Sequence, residues 1–80
     1  MNYTQLKKLL PVEELHYVDD CEVFFNENPK LYDSYLEDYQ YILFEYTISC
    51  FPEVIKTLKE NNIEYLTKTD KLGLDIILIK

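Results

Sequence analysis

The 80-residue chain carries fifteen acidic residues against eight lysines, contains no arginine, and has a formal net charge of −7. That length makes one small domain, residues 1–80, stable by about 4–12 kcal/mol on per-residue scaling, with room for a core and one binding face. Without arginine there is no bidentate recognition of phosphate or carboxylate. A single glycine cannot build a phosphate-cradling loop, and no apolar run reaches the length that spans a bilayer.

The polar start after Met1 predicts no secretory leader, hence a cytoplasmic protein in which Cys21 and Cys50 are free thiols. Thr4 to Leu10 reads as a short helix capped by Thr4, with Leu6, Leu9 and Leu10 on one side and Pro11 at its end. Cys21 to Phe25 is rich in β-forming residues and predicts a strand, paired with Leu15 to Val18 across a turn at Asp19-Asp20.

Asn28-Pro29 is a helix-start signal. Beyond it, Leu31, Tyr32, Tyr35, Leu36 and Tyr39 fall on one arc, while Lys30, Asp33, Ser34, Glu37 and Gln40 fall opposite. The tyrosine stripe is expected to pack in the core with its hydroxyls at the rim. Tyr41 to Ile48 alternates at period two, with Ile42, Phe44, Tyr46 and Ile48 on one face and Tyr41, Leu43, Glu45 and Thr47 on the other. Pro52 to Asn61 predicts a helix burying Phe51, Val54, Ile55 and Leu58, closed by a left-handed cap at Asn61-Asn62. Ile63 to Lys68 and Leu74 to Lys80 predict strands joined by a turn over Asp70 to Gly73, where Gly73 takes positive φ. Ile76 to Ile79 is apolar on both faces, as a central or partner-covered strand would be.

This order predicts an α+β sandwich: a mostly antiparallel sheet of four or five strands with two or three helices on one face. The stretch from Tyr41 to Lys80 has the strand-helix-strand-strand order of part of a ferredoxin-like arrangement, which carries no function by itself.

No catalytic constellation emerges. His16 is the only histidine, Ser34 and Ser49 lack a nucleophile elbow, and Cys21 and Cys50 sit in no thiol-enzyme signature. Glu13, Glu14 and His16, or Asp19, Asp20 and Glu22, bring oxygen and nitrogen donors together, but without the glycine-containing loop of a calcium site or the four-ligand spacing of zinc. A non-enzymatic chain with no cofactor and no metal is the expectation.

The distinctive signal is the placement of charge. Between Val12 and Tyr46 ten carboxylates face one base, Lys30, a balance of −9, whereas the rest of the chain is +2. Six of the eight tyrosines lie in the same window. Such a block attracts a basic partner and repels nucleic acid and anionic membrane. The expected partner-binding residues are Asp19, Asp20, Glu22, Glu27, Asp33, Glu37, Asp38 and Glu45, with tyrosines at the rim.

In size and charge layout the chain resembles the small acidic inhibitors of phages and mobile elements, such as anti-CRISPR and anti-restriction proteins that act as DNA mimics. It also resembles immunity proteins that neutralise basic nucleases. The resemblance implies a protein that occludes a basic, nucleic-acid-handling surface. The alternative is a small regulatory or ligand-binding module, dimeric through the Leu74 to Lys80 strand, since association is a remedy for a thin core.

Overall fold

A computed structural model describes residues 2–31, 38–44 and 51–80 of the protein. Its first helix, α1 (Tyr3–Leu9), begins one step earlier than the Thr4 cap predicted. Asn2 is the cap: its Oδ1 accepts from the Gln5 N–H at 2.9 Å, and Gln5 Oε1 accepts in return from the Asn2 N–H at 3.1 Å. This reciprocal box satisfies two of the donors a helix start leaves open, which Thr4 with no glutamine three residues on cannot do. Leu6 and Leu10 are buried beneath α1.

The predicted hairpin between Leu15–Val18 and Cys21–Phe25 does not form. Only His16–Tyr17 is extended, as strand β1, and it pairs antiparallel with Tyr41 and Ile42. Asp19 and Asp20 lie in a 3₁₀ turn, Val18–Asp20, and Cys21–Phe25 belongs to a helix, α2 (Glu22–Glu27). The physical reason is periodicity. Cys21, Phe24, Phe25 and Asn28 recur at the spacing of one helical face, and all four are buried or half-buried, while Glu22, Val23, Asn26 and Glu27 are exposed.

Asn28-Pro29 opens a short 3₁₀ turn, Pro29–Leu31. The predicted helix beyond it, with Tyr32, Asp33, Ser34, Tyr35, Leu36 and Glu37, lies outside the described residues, as do Glu45 to Cys50. Strand β2 (Tyr41–Phe44) is buried at all four positions. Helix α3 (Phe51–Glu60) buries Val54 and Leu58 and half-buries Phe51 and Ile55, the predicted stripe. Its end is a Schellman closure: Asn62 takes φ 55°, the Ile63 N–H reaches the Leu58 carbonyl at 3.0 Å, and the Asn62 N–H reaches that of Lys59 at 3.2 Å.

Strands β3 (Tyr65–Thr69) and β4 (Asp75–Ile79) form a hairpin whose turn is held by Asp70. The Asp70 carboxylate accepts from the Leu72 and Leu74 N–H groups, both at 2.9 Å, and Gly73 takes φ 84°.

The strands make one antiparallel four-stranded sheet in the order β1-β2-β4-β3. Because β4 inserts antiparallel between β2 and β3, the β2-α3-β3 connection is a split β-α-β unit. Both edges of β4 are therefore occupied, so it is the central strand the sequence allows and has no free edge along which to pair with another copy.

Alternation along the strands divides the core in two. On one face, α1 and α3 cover Tyr41, Leu43, Ile77 and Ile79. On the other, Phe25 of α2, with Val18, Cys21, Phe24, Leu31 and Tyr39, covers Ile42, Phe44, Ile76 and Leu78. The protein is thus an α+β domain with two helices on one face, as expected, and the short α2 on the other. No helix among the described residues is long and apolar enough to cross a membrane.

Candidate functional site

The two helical layers carry opposite charge. α1 and α3 hold Lys7, Lys8, Lys56 and Lys59 against Glu53 and Glu60. The layer from Val18 to Leu31 holds Asp19, Asp20, Glu22 and Glu27 against Lys30 alone. All four of those acids are exposed. Asp19 and Asp20 sit where the chain leaves the edge strand β1, and Glu22 and Glu27 lie on the outward side of α2 because its inward side carries Phe24 and Phe25. Val23, 72 % exposed, stands among them.

Asp38 joins the same end of the sheet. The Val18 N–H donates to the Gln40 carbonyl at 2.8 Å, the Gln40 N–H to that of Ile79 at 3.0 Å, and the Lys80 N–H to that of Glu64 at 3.1 Å. This row of backbone bonds crosses all four strands and sets Asp19, Asp20, Asp38 and Glu64 at one rim. The Lys80 ammonium at that rim lies 2.9 Å from the Glu64 carboxylate. The hydrogen bond and charge of Glu64 raise its pKa, with a smaller contribution from Asp38, so the lysine stays cationic and already engaged.

Of the predicted binding residues, Asp19, Asp20, Glu22, Glu27 and Asp38 are exposed, the first four spread along the 3₁₀ turn and α2. Asp33, Glu37 and Glu45 lie outside the described residues. Upstream, Glu13 and Glu14 are exposed, and Glu14 approaches His16 Nε2 at 3.5 Å. His16 packs edge-on against Phe44, with ring centroids 5.6 Å apart, which makes it a wall of the second core. Cys21 is a half-buried free thiol whose pKa is pushed up, first by burial and then by the charge of Asp20, the reverse of what a nucleophile requires. Among the described residues no three of His, Cys, Asp and Glu are grouped to hold one cation.

Sequence reasoning expects tyrosines at the rim but does not bring these three together. Tyr3, Tyr17 and Tyr41 come from three different elements and stack where α1 meets the β1 edge, Tyr3 and Tyr17 at 5.1 Å between centroids. The signal for Tyr17 was hidden by the wrong strand partner, since pairing with β2 sets it opposite Tyr41. No family model, curated protein or solved structure matches this chain.

Proposed function

We propose that the protein is a non-enzymatic binding protein that occludes a basic, nucleic-acid-handling surface of another protein by charge complementarity. The observation that supports this reading is the segregation of charge: exposed carboxylates at Asp19, Asp20, Glu22 and Glu27 gather on one layer, and the lysines of α1 and α3 lie on the opposite one. A directional field of this kind accelerates encounter with a basic groove and rejects acidic partners. Carboxylates on a turn and a helix also offer a row of negative charge of the kind a phosphate backbone offers.

The test is competition. A basic nuclease or DNA-binding domain is titrated with the protein in the presence of a labelled DNA duplex. Release of the duplex, an affinity that falls as salt rises, and loss of release on Asp19→Lys combined with Glu22→Lys are expected. An affinity indifferent to ionic strength overturns the proposal.

A further inference from the structure

We infer that the Tyr3–Tyr17–Tyr41 cluster is the anchor point for an arginine guanidinium of the partner. The inference rests on the charge-complementary reading and names the group that the acidic rim receives.

Three observations converge on this spot. The first is the aromatic surface itself: Tyr3 and Tyr17 lie nearly parallel at 18°, Tyr41 tilts against both, and Tyr17 is 43 % exposed. The second is an unmet hydroxyl. Tyr41 is only 4 % exposed, and its side chain makes no hydrogen bond among the described residues. Burial, followed by the neighbouring Tyr17, raises its pKa, so it stays a neutral phenol with lone pairs to offer.

The third is the backbone. The Val18 N–H bonds to the Gln40 carbonyl, one residue beyond the Tyr17–Tyr41 pair, so the Tyr17 N–H and carbonyl are turned away from β2.

These features fit a guanidinium better than an ammonium. A guanidinium is planar and weakly hydrated, so it stacks on a tyrosine face, and it carries five donors and no acceptor. The phenol oxygens of Tyr17 and Tyr41 and the Tyr17 carbonyl are the acceptors within this cluster. Asp19 and Asp20 follow Tyr17 by two and three residues, in the 3₁₀ turn that leads from β1 to the α2 layer, and bring negative charge to this end of the sheet. Lys80, at the same rim, is occupied by Glu64.

The probes are the amidated peptides Gly-Arg-Gly and Gly-Lys-Gly, titrated separately into the intact protein and followed by NMR. The arginine peptide is expected to bind severalfold more tightly and to move the ring signals of Tyr3, Tyr17 and Tyr41. Tyr41→Phe keeps the ring and removes only the hydroxyl. It is expected to weaken arginine binding roughly three- to tenfold without lowering Tm. Should Tyr41→Phe lower Tm, the arginine-over-lysine ratio of the unaltered protein decides alone. Equal affinity for the two peptides, or arginine binding unchanged in a well-folded Tyr41→Phe, overturns the inference. Asp19→Asn with Asp20→Asn separates the two levels: weakening of both peptides alike with no arginine preference leaves the acidic-rim reading standing, and no weakening at all removes that reading.

Discussion

The Asn28 side-chain oxygen accepts a hydrogen bond from the Lys71 backbone N–H at 2.9 Å, across 43 residues of sequence. Asn28 is the buried polar residue at the end of α2, and its Nδ2 donates in turn to the Phe24 carbonyl at 2.9 Å. One amide thus ties the acidic helix to the β3–β4 turn. Asn28→Ala leaves the Lys71 N–H without its partner and is expected to destabilise the fold by about 1–3 kcal/mol. Urea denaturation followed by circular dichroism measures this, and a loss below a few tenths of a kcal/mol would show that the tie is idle.

The core of the α1/α3 face is expected to tolerate little. Leu58 is fully buried between α3 and the sheet, so Leu58→Ala is expected to cost about 2–5 kcal/mol, a large share of the stability of so small a domain. Leu72, 76 % exposed at the hairpin tip, is the control, and Leu72→Ala is expected to change stability by less than about 0.5 kcal/mol. Thermal melts of the two variants give the comparison directly.

The two positive-φ positions are expected to respond in opposite ways. Gly73 takes φ 84° with open space where a Cβ would stand, so Gly73→Ala meets no clash and pays only the conformational penalty, about 1–2 kcal/mol. At Asn62, with φ 55°, replacement by glycine is expected to be neutral or slightly stabilising, because the Schellman closure prefers it. Opposite signs in Tm for Gly73→Ala and Asn62→Gly would bear this out.

Alkaline pH is expected to weaken the fold. Cys21 and Tyr41 both hold their protons more tightly in the folded chain, chiefly because burial disfavours their anions. The sign follows by linkage: stability is level below the ordinary thiol range and is lost as pH rises through the thiol and then the phenol range. Unfolding free energies measured from neutral pH upward should show that decline, and Tyr41→Phe should flatten its upper part. Because Asp20 is the second cause of the raised thiol pKa, Asp20→Asn is expected to speed alkylation of Cys21 by iodoacetamide.

The C-terminal half of this fold was legible because its signals are redundant. The stripe of α3, the Asn61-Asn62 cap, Gly73 and the doubly apolar β4 each point the same way, and period-two alternation separates the two faces of β2 from Tyr41 to Phe44. The N-terminal half was not, and one element accounts for it. Cys21-Glu22-Val23-Phe24-Phe25 has strand composition, and over five residues a periodicity of 3.6 is hard to tell from a period of two. Extending the window to Asn28 exposes the helical spacing. Once that segment became a helix, Leu15–Val18 lost its predicted partner and β2 took its place, and the tyrosine cluster came with it. Of the acidic site, charge and exposure were legible at Asp19, Asp20, Glu22, Glu27 and Asp38, but not the aromatic ground beside them, which depends on contacts between residues 3, 17 and 41.

The central place of β4 bears on how the protein is made. During synthesis β2 and β3 leave the ribosome before the strand that joins them, so neither can enter the four-stranded sheet until Asp75–Ile79 arrives. Until then Ile42 and Phe44 on one side and Leu43 on the other have no Ile76, Ile77 or Leu78 to pack against, and their apolar surface stays uncovered. A density of negative charge in the segment translated ahead of β3 and β4 would keep such chains apart while they wait.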